Sequence, residues 1–347
     1  MPSIEWNKQR WTTSLIRYTQ QQEGPYGDQW GTPETLPALQ TVIDAWLLPF
    51  VGPEKTIIEI GPGGGRWTHH LLNARALHCV DVNQVMLDYI VQRFHKPANL
   101  YPYLTGGTDL PALPNGSVDF VFSFGTFVHI DIPDIVAYLD NIRPLLADGA
   151  DVILQYADKT KPSAAQNIHF AETNPVLMES LLCAHGYRVI RHETGLIHHS
   201  NIIHVRPAPP MPQPFPLATE DTVRILAWPD YRDAAELLGL FKTYAPAIAA
   251  VPGATLCLRV DPRQDIAPEQ ALQLLNEAFS LTTPDLQLNV LVIDNDISPQ
   301  DWARLGSAVT ATIDLPSSSF GPRAAFSSAL RVPRIRTPEE IPRLLPS

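Results

Sequence analysis

The chain has 347 residues, 45% of them hydrophobic, and a formal net charge of -11. This length exceeds one ordinary core and fits two domains of common size, and the hydrophobic content is typical of a globular protein. The negative charge argues against nucleic acid as a partner, because phosphate backbones are bound by clustered Lys and Arg.

The amino-terminal segment, WNKQRW through GPYGDQWGTPE, is rich in Trp, Tyr and Gly. Charges and tryptophans stand where a signal peptide needs an unbroken apolar run, and no stretch of 18 apolar residues follows, so we predict a cytoplasmic protein without a membrane span. We expect residues 1–49 to form a lid or helical region before the core. Its aromatic rings either cover a sugar or cofactor or pack on the flank of the sheet; they are Trp6, Trp11, Tyr26 and Trp30.

Apolar β-rich runs alternate with helical patterns between residues 50 and 206, which predicts a doubly wound, mostly parallel α/β sheet of seven strands. The helical patterns include PDIVAYLDNIRPLL and NPVLMESLLCAHG, the second ended by Gly186. Only TGLIHHS separates the last two strands, which is hairpin length, so the last strand should run antiparallel. The strand-like runs are TIIEI, ALHCVDV, LYPYLT, VDFVFSF, DVILQYA, YRVIRHE and NIIHVRP.

A proline-rich run then interrupts the pattern, with six prolines among residues 207–216. Such a run continues neither helix nor sheet and acts as a stiff spacer. We therefore predict a linker there and a second, smaller Rossmann-like α/β domain over residues 217–347. Its element-like runs begin at TVRILAW and continue through RDAAELLGLFKTYAPAIAAV, ATLCLRV, PEQALQLLNEAFSL, LNVLVID, PQDWARLG and AVTATIDL.

The three cysteines are odd in number, far apart and set in apolar contexts. Neither a disulfide framework nor a zinc site is indicated by this spacing. We expect Cys79, Cys183 and Cys257 to be buried, inert thiols.

A glycine-rich loop follows the first predicted strand, with four glycines in the five positions from Gly61 to Gly65. Glycine at a strand-to-helix junction allows a positive φ and close approach of the backbone to a ligand. In an open α/β sheet this junction binds a nucleotide, and an acid at the end of the second strand takes the ribose hydroxyls. Asp81 stands 20 positions after Gly61, which is the expected separation.

The residues around the loop discriminate between nucleotides. A dinucleotide fingerprint needs a glycine at its sixth position, where Arg66 stands, and no Gly-Lys-Ser/Thr of a P-loop is present. Glu59 lies two residues before Gly61, where its carboxylate would repel a pyrophosphate but suits a cofactor that carries an ammonium and a sulfonium. The charge balance favours S-adenosylmethionine.

Residues 50–205 resemble the class I S-adenosylmethionine-dependent methyltransferases. The likeness is carried by an acid-x-Gly-x-Gly-x-Gly motif beginning at Glu59, by Asp81, and by LPNGSVDFVFSFGTFVHI as the fourth strand with its loop. It implies that residues 50–206 form the cofactor-binding domain. Many relatives have an Asp for the adenine amino group where this chain has Gly106, so backbone groups of the next two residues, or Asp109, would substitute. The implied cofactor-binding residues are Glu59, Gly61, Pro62, Gly63, Gly65, Asp81, Val82, Gly107, Thr108, Phe124 and Gly125.

A hydroxyl acceptor of a methyl group needs a base, and His is the natural base near neutral pH. His129 follows the fourth strand, His169 follows the fifth, and His198 lies with His199 between the sixth and seventh. We therefore expect four histidines on one rim, with His129, His169 and His198 as catalytic candidates. The alternative for each is a partly buried histidine satisfied by a backbone carbonyl. We predict no metal site, because adjacent side chains of an extended chain point to opposite faces.

The amino-terminal pattern resembles the extension of methyltransferases from surface-polysaccharide and sugar pathways. ATIDLPSSSFGPRAAFSSALRVPRI resembles the nucleotide-sugar-binding half of two-domain glycosyltransferases, although it lacks their ribose-binding acid. Ser317, Ser318, Ser319 and Gly321 are candidates for an anion-binding loop.

We therefore expect methyl transfer to a small acceptor, namely O-methylation of a sugar or related metabolite. One alternative is a non-catalytic cofactor-binding scaffold in glycan assembly. Another is glycosyl transfer by the second domain.

Overall fold

The computed structural model describes residues 3–21, 25–208, 213–263, 265–319, 323, 330 and 332–344. The chain divides into two compact units. The first comprises Met1–Pro175 and His185–Pro209, and the second comprises Val176–Ala184 and Pro210–Ser347. Residues 209–212 of the expected linker lie outside the described residues.

The first unit contains a seven-stranded sheet with the order β3-β2-β1-β4-β5-β7-β6. Strands β1 to β5 pair in parallel, whereas β7 pairs antiparallel with both β5 and β6. The mostly parallel sheet with an antiparallel last strand, expected from the sequence, is thus confirmed. The strands are β1 (Thr56–Ile60), β2 (Ala76–Asp81), β3 (Leu100–Leu104), β4 (Val118–Ser123), β5 (Leu146–Ala157), β6 (Tyr187–Glu193) and β7 (Ser200–Pro207).

A buried apolar layer accompanies this sheet, and helices alternate with its strands along the chain. All five residues of β1 are buried, and Trp46, Leu77 and Phe120 belong to the same apolar core. The hydrophobic effect of this burial holds the strand ends, and therefore the loops that follow them, in fixed positions. The helices are α1 (Ile4–Gln21), α2 (Pro37–Val42), α3 (Thr68–Leu71), α4 (Gln84–Arg93), α5 (Ile132–Ile142), α6 (Pro162–Ala165) and α7 (Pro175–Ala184).

Gly186 follows α7 with φ 81°, as expected for a glycine that ends a helix. All but the first residue of α7 belongs to the second compact unit, whereas the sequence pattern had placed this helix with the first sheet.

The second unit contains a five-stranded sheet, in the order β10-β9-β8-β11-β12, with every pair parallel. A second α/β arrangement was expected from the alternating pattern. Its own apolar core includes Ile225, Phe241 and Leu256. The elements are β8 (Val223–Ala227), α8 (Ala234–Ala249), β9 (Ala254–Arg259), α9 (Pro268–Thr282), β10 (Asn289–Ile293), α10 (Pro299–Ala308), β11 (Ala311–Ile313) and β12 (Arg334–Ile335).

Part of the expected anion-binding loop is occupied by a carboxylate of the chain itself. The main-chain N–H and the hydroxyl of Ser317 both donate hydrogen bonds to Glu236, which is 6% exposed. These two donors are therefore satisfied internally, which corrects the expectation for Ser317. Gly321 and the side chains of Ser318 and Ser319 lie outside the described residues.

Cys79, Cys183 and Cys257 are free and buried, as expected. Burial raises the pKa of the Cys183 thiol to about 11 and that of Cys257 to about 12, so both stay protonated near neutral pH. Within the described ranges, no helix has the length and hydropathy that crossing a bilayer requires.

Candidate cofactor and acceptor site

The glycine loop connects β1 to α3 at the carboxyl edge of the first sheet. Gly61, Gly63 and Gly65 have φ of 71°, 52° and 83°, a region that side chains rarely adopt. The Gly61 N–H donates to the carbonyl of Val80 at 2.8 Å, which ties the loop to β2. A Cβ on Gly61 would lie 1.7 Å from Thr126 Oγ1, whereas a Cβ on Gly63 would meet nothing within 4 Å. The loop thus packs closely on one side and is open on the other.

This packing predicts a stability difference between two substitutions. Gly116 has φ 70° but open space around a Cβ, so Gly116→Ala should cost about 1–2 kcal/mol from backbone strain alone. Gly61→Ala, with φ 71°, should cost about 1–3 kcal/mol more because Thr126 must move. Thermal unfolding followed by tryptophan fluorescence measures the difference, since five of the seven tryptophans belong to the first unit. Equal losses in the two variants would contradict the close packing.

A cavity of about 790 Å³ opens beside the loop, entirely within the first unit. Pockets for ligands of cofactor size span about 300–1,000 Å³, so this one has room for a cofactor and a small acceptor. The structure brings most of the predicted site residues to its wall. They are Gly61, Pro62, Gly63, Asp81, Val82, Gly107, Phe124, Gly125, His129, His169 and His198.

Asp81 lies at the end of β2 and is 9% exposed. Its Oδ1 accepts a hydrogen bond from the Asn83 N–H at 2.9 Å, and it also interacts with the backbone of Gly63. Burial raises the pKa of this carboxyl to about 6, and the backbone hydrogen bonds oppose the rise. Asp81 is therefore an ionised hydrogen-bond acceptor near pH 7, held against the glycine loop.

Three predicted cofactor residues lie off the cavity wall. Glu59 is 1% exposed behind the loop, where its Oε2 accepts a hydrogen bond from Thr68 Oγ1 at 2.7 Å. Burial raises the pKa of Glu59 to about 7. Gly65 packs against the Phe94 ring, and a Cβ on Gly65 would lie 2.6 Å from that ring. The carbonyl of Thr108 accepts a hydrogen bond from Asn141 of α5, so the main chain of Thr108 is held by this helix.

The carboxylate of the remaining adenine candidate, Asp109, is already hydrogen-bonded by strand β3 and the loop that follows it. Its carboxylate accepts hydrogen bonds from Tyr103, Thr105 and the Gly106 N–H. Gly107 is different, because it lines the cavity while its carbonyl is held by the hydroxyl of Tyr138 at 2.8 Å.

Gln155, near the end of β5, is a wall residue that the sequence reasoning missed. It is 2% exposed, its Oε1 accepts a hydrogen bond from the Gly125 N–H at 2.7 Å, and its Nε2 donates to Ser200 Oγ at 2.6 Å. The side chain therefore links β4, β5 and β7 beneath the loop of Phe124 and Gly125. Its position two residues before the end of a buried strand was the available signal.

Arg66 is a second wall residue whose role the sequence did not reveal. Its Nη2 is buried and has no hydrogen-bond partner among the described residues, and the guanidinium lies 5.5 Å from the centre of the Trp67 ring. A buried guanidinium without a full set of partners is costly, and an anionic group beside the glycine loop would offset that cost.

Helix α1 covers the cavity and supplies five wall residues, which are Ile4, Trp6, Asn7, Arg10 and Trp11. Asn7 Nδ2 donates to the carbonyl of His129 at 2.8 Å, and Thr12 Oγ1 donates to Asn83 Oδ1 at 2.8 Å. The helix is thus bound to the loop after β4 and to Asn83 in the loop after β2. The amino-terminal aromatic residues were expected either to cover a ligand or to pack on the flank of the sheet. In the structure, all four contribute to the cavity wall; they are Trp6, Trp11, Tyr26 and Trp30.

His129 follows β4 and faces the cavity. Its Nδ1 lies 3.0 Å from the carbonyl oxygen of His169. Because a carbonyl only accepts, Nδ1 carries the proton, and in the neutral ring Nε2 keeps its lone pair. Burial lowers the pKa of His129 below its ordinary value, so the neutral ring is the main form at pH 7.

The other three histidines also reach the same cavity. The ring of His169 stacks on Trp6 with centroids 4.6 Å apart, and the rings of His198 and His199 are 4.7 Å apart and perpendicular. The rim of four histidines is therefore present in the structure. Among the described residues, no group of three or more His, Cys, Asp or Glu side chains is arranged to hold a metal ion.

One cavity of this α/β protein thus carries the glycine loop, the Asp81 carboxylate and the His129 imidazole. Residues 57–149 match the family model described as a methyltransferase domain. The matched segment runs from β1 past α5, and it includes the glycine loop, Asp81 and His129. The match supports the methyltransferase class and S-adenosylmethionine as the cofactor, as expected from the sequence.

Several solved structures, methyltransferases among them, resemble part of the chain. The CcbJ methyltransferase from Streptomyces caelestis is 13% identical, with 52% of this chain and 100% of that chain covered and a TM-score of 0.44. The DhpI complex with SAH is 19% identical over 60% of this chain and 98% of that chain, also with a TM-score of 0.44. The magnesium protoporphyrin IX methyltransferase from Synechocystis PCC 6803, with bound SAH, is 16% identical over 49% and 83%, with a TM-score of 0.40. The sequence matches no curated protein.

The wall residues fit S-adenosylmethionine. Open space lies above the α-carbons of Gly63 and Gly125, where a Cβ would meet nothing within 4 Å. Asp81 offers a buried acceptor for ribose hydroxyls, and Arg66 places a positive charge on the same wall, which suits the carboxylate of the methionine moiety. When bound, this cofactor supplies the electrophilic methyl group.

Proposed function

We propose that the first unit transfers a methyl group from S-adenosylmethionine to a hydroxyl of a small acceptor, a sugar or related metabolite. The observation that carries the proposal is the position of His129. One cavity joins the glycine loop and Asp81 to an imidazole whose Nδ1–H is bound to a backbone carbonyl and whose Nε2 is left as a proton acceptor.

His129 is the proposed general base. A hydroxyl loses its proton as it attacks a methyl group. An imidazole that is neutral at the operating pH can accept that proton. The carbonyl of His169 orients the ring and stabilises the imidazolium formed, because it accepts from Nδ1–H in both protonation states. Enclosure by α1 holds the acceptor in line and limits access of water, which matters for a displacement at carbon.

The aromatic wall supports a sugar-like acceptor. The rings of Trp11 and His129 are 5.1 Å apart and those of Trp11 and Trp30 are 5.8 Å apart, both in edge contacts that leave ring faces for other partners. Aromatic faces suit the apolar C–H faces of sugars, while the histidines and Asn167 on the same wall supply polar contacts. His169 and His198 are proposed as acceptor contacts.

The direction of the pKa shift at His129 predicts the pH profile. The base is active when unprotonated, and burial lowers its pKa from 6.5, so the midpoint of the acid limb of kcat should lie below pH 6.5, with a plateau at higher pH. The measurement is kcat at saturating cofactor and acceptor across pH 5–8. A midpoint above pH 7 would contradict the assignment of this buried imidazole.

Transfer of label from radioactive S-adenosylmethionine to sugars, nucleotide sugars and extract fractions tests the function. A labelled product supports methyl transfer, whereas cofactor binding without turnover on any acceptor would support the scaffold alternative. Binding of a nucleoside diphosphate to the second unit would support glycosyl transfer. Because Glu236 already occupies the donors of Ser317, we propose that residues 217–347 are an accessory domain.

A further inference from the structure

Phe170 separates two of the cavity histidines. Its ring centroid lies 5.2 Å from that of His129 and 5.1 Å from that of His199, so the two imidazoles are at most about 10 Å apart. All three side chains line the same cavity. Two imidazoles of the cavity wall thus contact the same phenyl ring, and only His129 has so far been given a role.

The main chain of His199 is fixed beside the cavity. Its main-chain carbonyl accepts a hydrogen bond from the Asp158 N–H at 3.1 Å, which fixes the backbone beside β7. Nδ1 is buried and has no hydrogen-bond partner among the described residues, so the edge that lines the cavity is the one carrying Nε2. Burial and the nearby His198, His129 and Lys161 lower the pKa of His199 to about 4, which keeps this ring neutral at pH 7. An imidazole with such a low pKa is a poor base, but it still forms hydrogen bonds.

We propose that His199 binds a second hydroxyl of the acceptor, next to the one that His129 deprotonates, so that the acceptor is a ring carrying a vicinal diol. This inference rests on the methyl-transfer function proposed above and specifies its substrate class. Two neighbouring hydroxyls of one ring present one oxygen to each imidazole, and each oxygen would join its ring nitrogen through a hydrogen bond of about 2.8 Å. A hydroxyl both donates and accepts, so it pairs with Nε2 in either tautomer.

The hydrogen bond to His199 would select both the acceptor and the hydroxyl of the acceptor that is methylated. A site built to bind a substrate hydroxyl discriminates strongly against the analogue that lacks it, because a polar group is then left unpaired. With one hydroxyl on His199, only its neighbour faces His129. The expected product is a monomethylated diol with a single regiochemistry.

The test compares matched acceptor pairs in two arms, using hexose methyl glycosides with their monodeoxy counterparts and catechols with the corresponding phenols. Radioactive S-adenosylmethionine gives kcat/KM for the wild-type chain, His199→Leu and His199→Gln. His78→Leu is the control, because His78 stacks on Tyr101 of β3 and lies off the cavity wall. Thermal unfolding and binding of S-adenosylhomocysteine establish that each variant is folded.

We expect the diol to react about 10–100-fold faster than its deoxy partner in the wild-type chain, the usual effect of one hydrogen bond to an otherwise unpaired group. His199→Leu should lower kcat/KM for the diol to the value of the deoxy compound and leave kcat/KM for the deoxy compound unchanged. His199→Gln should restore part of the difference in kcat/KM between the two acceptors. Which arm responds identifies the ring as a sugar or an aromatic ring.

Two results would overturn the inference. An equal loss for diol and deoxy acceptors in His199→Leu would show a merely structural role. Methylation of other acceptors but of no vicinal diol would exclude the diol while leaving the methyltransferase function intact. Failure of the proposed function itself is distinguishable, because no acceptor of any class would then be labelled.

Discussion

Asp81→Ala is expected to weaken S-adenosylmethionine binding by about 100-fold or more, since the loss of hydrogen bonds to a charged acceptor costs about 1.5–3 kcal/mol each. The reason is that Asp81 is the buried carboxylate at the end of β2, directly beside the glycine loop. Equilibrium dialysis with radioactive cofactor measures the effect.

Asp88→Ala is the matched control. Asp88 lies on the exposed face of α4 and bonds only the neighbouring turn through Gln84, so its removal should leave binding unchanged. Asp81→Asn keeps the size of the side chain and removes the charge, and it should bind with intermediate affinity. Equal affinity of Asp81→Ala and the wild-type chain would remove Asp81 from the cofactor site.

His129→Gln is expected to lower kcat by about 100-fold to 10,000-fold, the usual contribution of a general base. Binding of S-adenosylhomocysteine should persist, because the imidazole contacts the backbone of His169 and the acceptor side of the cavity rather than Asp81. The acid limb of the pH profile should disappear in this variant. Single-turnover methylation of an accepted substrate, combined with cofactor titration, separates the two effects.

The control for this change is His78→Gln. His78 lies on β2 and stacks on Tyr101 of β3, away from the cavity wall, so the same substitution there should leave kcat unchanged. A fall in kcat of less than threefold for His129→Gln would show that another group accepts the proton.

The fold was largely predictable because its signals are local. The run TIIEI became the fully buried β1, and the short TGLIHHS connection gave the antiparallel β6–β7 pair. Alternation of strands and helices also predicted the second parallel sheet. The place of β7 between β5 and β6 comes from tertiary pairing, which no local pattern expresses.

The cofactor side of the site was predictable where a residue type is tied to a strand end. Gly61, Gly63 and Asp81 follow β1 and β2 at characteristic spacing and lie on the cavity wall. Glu59 shows the limit of that reasoning, because charge complementarity suggested contact with the cofactor. In the structure this side chain lies behind the loop and binds Thr68.

The acceptor side was less predictable because its residues come from distant segments. Asn7 meets His129 across 122 positions, and Gln155 meets Gly125 from a neighbouring strand. Only folding of the chain brings such pairs together, and a single buried Gln within an apolar strand carries little signal by itself. The pairing of His199 with His129 through Phe170 belongs to the same class.

Titration calorimetry of the intact chain with S-adenosylhomocysteine tests the central claim most directly. We expect saturable heat with one molecule bound per chain, because one cavity carries the glycine loop, Asp81 and Arg66 together. Absence of any heat with this compound and with S-adenosylmethionine, in a chain that unfolds cooperatively, would contradict it.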